Sequence, residues 1–284
     1  MSTVQAIYDV PAPAKLNLFL HITGRRSDGY HLLQSVFMLI DWCDTLHFAL
    51  RRDGHISRED LGPPLPADDL TVRAARALQT ATGCTLGAHI GILKQVPAQA
   101  GMGGGSSDAA STLLALNRLW RLNLDRQTLA RIGLTLGADV PFFLCGHNAW
   151  VEGIGEKITP LAPAHEVPPA RFVVVKPAAG LDTQQIFSSP FLKRDSKGAT
   201  IADFAANHFD FGQNNLQGAA QALCLDVKKA AEWLELHKLR SKMTGSGSAV
   251  FARMPHDIDL RSAPSEWQVK KCDNLQIHPL KDWI

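Results

Sequence analysis

The sequence predicts an α+β protein of two domains, and three observations predict it. Segments with strand-like alternation fill the chain up to Leu50, capped helix-like stretches follow, and Pro160, Pro163, Pro168 and Pro169 cluster before a second half that returns to strand composition. At 284 residues, with 45% apolar and 20% charged content, the chain can bury a substantial core and divide into two units of ordinary size. The proline cluster sets the expected division, 1–159 and 160–284.

Over 14–22 the residues alternate: Leu16, Leu18, Leu20 and Ile22 fall on one side of a strand, Lys15, Asn17, Phe19 and His21 on the other. Lys15 and Asn17 therefore share a face, which taken alone reads as a solvated edge. The turn chemistry of 24–29 lets 31–40 return as a second strand, and 41–50 extends the meander. After the proline-rich loop 62–66, Leu70, Ala74, Ala77, Leu78 and Ala81 recur at helical spacing, with Asp68 available as cap and Gly83 as stop. A short strand is expected over 89–93. Leu113, Leu114, Leu116 and Trp120 give the next helix an apolar face; Asp125 can cap another, supported by Leu129, Ile132 and Leu136. Pro141 disfavours helical geometry at Val140, so Asp139 is expected where a helix has just ended and the chain turns extended. Further on, 148–153 and 172–175 read as strands, 227–237 as a helix, and 242–251 as a glycine turn leading into a strand.

The segment Gly101-Met102-Gly103-Gly104-Gly105-Ser106-Ser107-Asp108 lies between a strand and a helix. Glycines let backbone N–H groups turn toward one point, and the first turn and dipole of the following helix add partial positive charge there. This context favours a phosphate cradle over a flexible linker. Ser106 or Ser107 can serve as the helix N-cap, and either hydroxyl could instead face a phosphate or its metal. Common nucleotide templates do not fit: the Gly-x-x-x-x-Gly-Lys-Ser/Thr loop needs a lysine that is absent, and a dinucleotide fingerprint needs glycine where Ser106 stands. No protein-kinase His-Arg-Asp or Asp-Phe-Gly occurs. Thr244-Gly245-Ser246-Gly247 is a second glycine turn that could close over the same phosphates. Asp139 has two readings, a catalytic carboxylate fixed at a junction or a turn former.

A net charge of +2 gives no electrostatic case for nucleic acid or membrane as the main partner. The five cysteines are scattered and form no Cys-x-x-Cys pair, so reduced core thiols are expected rather than a disulfide frame or zinc site. Without a basic, apolar leader or a spanning stretch, the protein is expected to be cytoplasmic.

Taken together, these segments resemble the GHMP kinases. Pro13-Ala14-Lys15-Leu16-Asn17-Leu18 resembles the first family motif, the segment from Gly101 to Asp108 the second, and Thr244-Gly245-Ser246-Gly247 the third. Leu136-Gly137-Ala138-Asp139-Val140-Pro141 resembles the catalytic aspartate segment. Arg26-Ser27-Asp28-Gly29-Tyr30-His31 looks like the substrate segment of one branch, which other GHMP kinases lack. The resemblance implies an N-terminal ATP domain with helices on a mixed sheet, a C-terminal ferredoxin-like domain, and a cleft between them. It implies transfer of the γ-phosphoryl group of ATP, with Mg2+, to the 2-hydroxyl of the methylerythritol portion of a cytidine diphosphate substrate in non-mevalonate isoprenoid precursor synthesis.

By the same resemblance Asp139 would accept the hydroxyl proton, Lys15 would hold the aspartate and the attacking oxygen, and Asn17 would help position the hydroxyl. Tyr30 and Phe187 would flank cytosine, with His31 bonding its polar edge. Pro97, Gly101, Gly103, Gly104, Gly105, Ser106, Ser107, Asp69, Gly245 and Gly247 would form the ATP site, with no protein metal cage. Two departures stand out: Asp69-Leu70 replaces the usual Asn-Leu near adenine, and Pro97-Ala98-Gln99-Ala100 holds less glycine than the family loop. Alternatives are a homoserine or mevalonate type of GHMP kinase, or a non-catalytic nucleotide-binding module of the same fold.

Overall fold

The computed structural model describes residues 5–190 and 192–284. It opens on a long antiparallel hairpin, β1 (Ala6–Arg25) and β2 (His31–Arg51), closed by a turn in which Gly29 takes φ of +93°. The expected break near residue 41 is absent: nothing between His31 and Arg51 is glycine or proline, so one strand runs the whole way. In β1, Pro13 lies at one of several register shifts, where a missing N–H costs the ladder least.

Next in order are β3 (Ile56–Asp60), α1 (Leu70–Thr82), β4 (Gly87–Leu93), α2 (Gly104–Leu119), α3 (Arg126–Leu134), α4 (Val140–Cys145), β5 (Ala149–Gly153) and β6 (Lys157–Pro160). Beyond the prolines come β7 (Arg171–Lys176), α5 (Thr183–Ser188), α6 (Ile201–Ala205), α7 (Gln217–Leu223), α8 (Leu225–Leu236), β8 (Lys242–Met243), β9 (Val250–Arg253) and β10 (Gln268–Leu275). β3 runs parallel to β4, and the other pairings are antiparallel, which makes the sheet mixed. β2 is the hub. β1 covers one edge, while β5, β10 and β4 pair successively along the other. Through Asn274 and Leu275, opposite Ile40 and Leu39, the ladder β10-β7-β9-β8 joins the first half.

This arrangement buries both faces of the hairpin. Phe37 and Leu39 pack toward a core built with α1, α2 and α4, whereas Val36, Met38 and Ile40 pack with Phe172, Val174 and Phe251 of the C-terminal strands. Each such side chain gains about 1.5–3 kcal/mol on full burial. The solvated-edge reading of Lys15 and Asn17 is therefore overturned: they are 3% and 1% exposed. A third core lies between β7, β9 and helices α7 and α8.

The caps correct several expectations. Asp69, not Asp68, caps α1 by accepting from Val72 N at 3.1 Å, because the helix already starts at Leu70; Asp68 faces Arg76 outside. Asp125 and Gly83 take the expected roles. α2 begins at Gly104, capped by Gly103 in the left-handed region, so neither Ser106 nor Ser107 is its N-cap. Asp139 precedes a helix as well as following one: Pro141 sits in the first turn of α4, where its missing N–H is not needed. α8 starts two residues before Val227, at Leu225. All five cysteines are free thiols.

Candidate active site

Three segments distant in sequence knit together around Asn17. Its side-chain oxygen accepts from Lys15 Nζ at 2.5 Å and from Gly245 N at 2.8 Å. Its amide donates to Ser35 Oγ, and its backbone N–H donates to Thr244 Oγ1 at 3.0 Å. Thr244 Oγ1 lies 3.1 Å from Gly101 O, and Lys15 N donates to Met102 O. The two glycine turns press directly on each other. A Cβ on Gly101 would stand 2.2 Å from Thr244 O, and one on Gly245 2.7 Å from Gly101 O, and both glycines have positive φ. Close backbone approach accounts for these glycines.

Against this knot stand the candidate chemical groups. Lys15 Nζ is 3.7 Å from Asp139 Oδ2 and lies 4.4 Å from the centre of the Phe37 ring. Burial pulls the Lys15 pKa below its ordinary value, opposed by the Asp139 carboxylate. Gly103 lies on the Lys15 stem, since a Cβ there would come 3.3 Å from Cγ. Ser106 Oγ would be 3.8 Å from a Cβ on Gly137, which brings the start of α2 beside the aspartate segment. Asn17 is engaged at both ends within the protein, and of the candidate chemical groups it touches Lys15.

A cavity of about 360 Å³ opens at the loop. Pro97, Gly101, Gly103, Gly104, Gly105 and Ser106 line it, with Leu65, Leu70 and Val96 supplying an apolar wall. The first turn of α2 has no side-chain cap, so its N–H groups remain available to an anion. Ser107 lies outside the lining, fully buried, its hydroxyl without a partner among the described residues. Asp69 does line the cavity, yet its carboxylate is committed to Val72 N, Thr71 Oγ1 and the Arg58 guanidinium, the last at 2.7 Å. Gly247 and Gly245 lie outside this lining, on the opposing turn.

Sequence reasoning missed Lys94, which also lines this cavity. Its ammonium bridges the buried carboxylates of Asp44 and Asp108, the latter at 2.6 Å, and Asp44 accepts from Gln95 N and Val96 N. Burial drives the Asp108 pKa up, against Lys94 and with the help of the Asp44 charge. This ion cluster ties β2 and α2 to the strand leading into the loop. Its only sequence signal is a lysine at a strand end.

In the substrate-like segment His31, and not Tyr30, touches the Phe187 ring. Phe187 stacks on His31, with ring centroids 5.0 Å apart and planes 25° apart, while Tyr30 is 61% exposed and makes no ring contact among the described residues. Arg194, also missed, donates Nε–H to His31 Nε2 at 3.2 Å.

Comparison with known proteins bears on this geometry. The GHMP kinases N terminal domain matches residues 69–147, a stretch that includes Asp69, the glycine loop and Asp139. A 4-diphosphocytidyl-2-C-methyl-D-erythritol kinase of Delftia acidovorans (strain DSM 14801 / SPH-1) is 70% identical over 282 residues, covering 99% of this chain and 98% of that protein. The chain belongs to the 4-diphosphocytidyl-2-C-methyl-D-erythritol kinase family, within the GHMP kinases. A crystal structure of 4-(cytidine 5'-diphospho)-2C-methyl-D-erythritol kinase superposes with a TM-score of 0.78 at 31% identity, over 93% of this chain and 98% of that one. Methanococcus jannaschii mevalonate kinase, at 14% identity and a TM-score of 0.67 over 96% of this chain and 99% of its own, shares the fold. Among the described residues, no helix is long and apolar enough to cross a membrane, and no group of three or more His, Cys, Asp or Glu side chains gathers as a metal cage.

Proposed function

We propose that the Lys15–Asp139 pair and the glycine-loop cavity form the phosphoryl-transfer centre of this enzyme. The enzyme is an ATP-dependent kinase that phosphorylates the 2-hydroxyl of 4-diphosphocytidyl-2-C-methyl-D-erythritol, a step of non-mevalonate isoprenoid precursor synthesis. The observation that carries the site assignment is the meeting of the three motif segments: Asn17 accepts from Lys15 and Gly245, Gly101 O accepts from Thr244, and Asp139 stands beside Lys15.

In this reading ATP lies with its base against Leu65, Leu70, Val96 and Pro97 and its phosphates at the uncapped start of α2. Asp69 serves there through its backbone and its cap rather than a free carboxylate. Ser106 offers a hydroxyl that lines the cavity and has no partner among the described residues, a hard oxygen suited to a divalent cation. Magnesium bound there with the phosphates and water would neutralise charge on the β and γ groups. Asp139 takes the proton of the attacking hydroxyl, a step that general bases accelerate by about 10²–10⁴. Lys15 steadies the carboxylate and the charge developing on the transferred oxygens, and Asn17 holds the Lys15 ammonium in place. Phe187 supplies one face of the cytosine pocket and Tyr30 closes the other, while His31, packed against Phe187, turns its ring nitrogen to the polar edge of the base. The proposed division assigns 1–159 to the ATP-binding domain and 160–284 to the C-terminal domain, in a cytoplasmic protein.

A coupled assay with MgATP and the cytidine substrate, run beside mevalonate and homoserine, tests this reading. Turnover of the cytidine substrate with the other alcohols at background is the expected result. Comparable kcat/KM on either alcohol would contradict it.

A further inference from the structure

We infer that Arg194 is a specificity-determining positioning residue: its guanidinium holds His31 as the neutral Nδ1–H tautomer, so that the ring offers a donor that cytosine accepts at N3 and uracil cannot. The inference rests on the reading of His31 as the residue that meets the polar edge of the base.

Hydrogen-bond chemistry fixes the direction. Arginine has donors only, so the 3.2 Å contact from Arg194 Nε to His31 Nε2 requires a lone pair on Nε2. In a neutral imidazole the single N–H then resides on Nδ1. No hydrogen bond among the described residues occupies Nδ1, so that donor is available to a ligand. An imidazolium would set N–H against N–H at Nε2. Burial, followed by the charges of Arg194 and Arg25, disfavours that cation and holds the His31 pKa below its ordinary value.

The guanidinium is itself clamped. Its NH2 group donates to Phe187 O and Ser189 O, both at 3.0 Å, and NH1 donates to Leu192 O at 3.2 Å. These bonds tie Arg194 to the end of α5 and to Ser189 and Leu192, and Phe187, in the last turn of α5, stacks its ring on His31. One side chain therefore sets both the tautomer of His31 and the position of the ring packed against it. Stacking is tolerant of base identity. Choice depends on the directional N–H. Cytosine N3 carries a lone pair; uracil N3 carries a hydrogen, which would face the His31 donor and leave both unsatisfied.

The test combines spectroscopy with a preference ratio. In the wild-type enzyme with 15N-labelled histidine, long-range 1H–15N correlation at neutral pH should show His31 protonated at Nδ1 and bare at Nε2. In Arg194→Met the pattern should move toward Nε2–H, and the kcat/KM preference for the cytidine substrate over its uridine analogue should fall by about tenfold or more, with KM for ATP unchanged. Arg194→Lys, which keeps a donor without the fork, should recover part of the preference. An Nε2–H tautomer in the wild type overturns the inference even if Arg194→Met does not fold. An unchanged preference in folded Arg194→Met also overturns it while leaving the kinase reading intact. Absence of any turnover of the cytidine substrate by the wild type would instead overturn the kinase reading.

Discussion

Lys15 is the residue at which the proposed chemistry can be read most directly from the structure. Its ammonium is buried, held by Asn17 at 2.5 Å and faced by Asp139 at 3.7 Å. Burial lowers its pKa, so the charge disappears at a lower pH than it would on an exposed lysine. Under the proposed role, in which transfer needs the cation, kcat should hold below that pKa and fall as pH rises through it. A kcat–pH profile should show an alkaline limb below the ordinary lysine value of 10.5. Lys15→Met should lower kcat by about 10²–10³ and abolish that limb; near wild-type kcat in the variant would separate Lys15 from the chemistry. At this scale the sequence was informative where function is local. Alternation put Lys15 and Asn17 on one face, and their side chains do meet. It was silent where a partner lies far along the chain: nothing around Lys94 points to Asp44, and His31 lies 163 residues from Arg194.

Among the elements, the glycine loops supply a controlled contrast. Gly83 and Gly101 both adopt positive φ, +67° and +71°, but a Cβ on Gly83 meets nothing within 4 Å whereas one on Gly101 would strike Thr244 O at 2.2 Å. Gly83→Ala should therefore cost only the left-handed penalty, about 1–2 kcal/mol, with KM for ATP unchanged. Gly101→Ala should be more destabilising and raise KM for ATP, because the two turns must separate. Denaturant melts and KM values on both variants check this, and equal effects would argue that contact between the turns is unimportant. Within the loop, Gly101 and Gly103 have positive φ. Cap and stop residues such as Asp125 and Gly83 were legible because their bonds are local. The start of α2 was not: serine is a good cap in general, but here Gly103 in the left-handed region begins the helix a turn earlier and leaves its N–H groups open. Likewise Pro141 reads as a breaker when seen from Val140 and as a first-turn residue once α4 is in view.

For the molecule as a whole, the middle core matters most, since Val36, Met38 and Ile40 share it with Phe172, Val174 and Phe251 from beyond the proline cluster. Strands from the second half bury the Leu16–Met38 face of the hairpin, whereas Lys15 and Asn17, which look solvated in the sequence, stand opposite Leu39 and Phe37 on the other face, covered by helices that lie about ninety or more residues downstream. Met38→Ala should cost about 2–5 kcal/mol. Far-UV circular dichroism and the fluorescence of Trp42 and Trp150, both in this core, should report coincident urea transitions. Clearly separated transitions would contradict a shared core. The strand-then-helix order and the proline cluster made the α+β class readable; the β2–β10 junction was not, since two residue pairs leave no pattern. Only the folded molecule brings the three motifs to one place, where phosphoryl transfer, as proposed, occurs with Asp139 as base. The most direct test is Asp139→Asn, assayed for turnover of the cytidine substrate and separately for ATP affinity. The expected result is a fall in kcat of about two orders of magnitude or more with ATP affinity retained, and a variant that turns over at near wild-type kcat would contradict it.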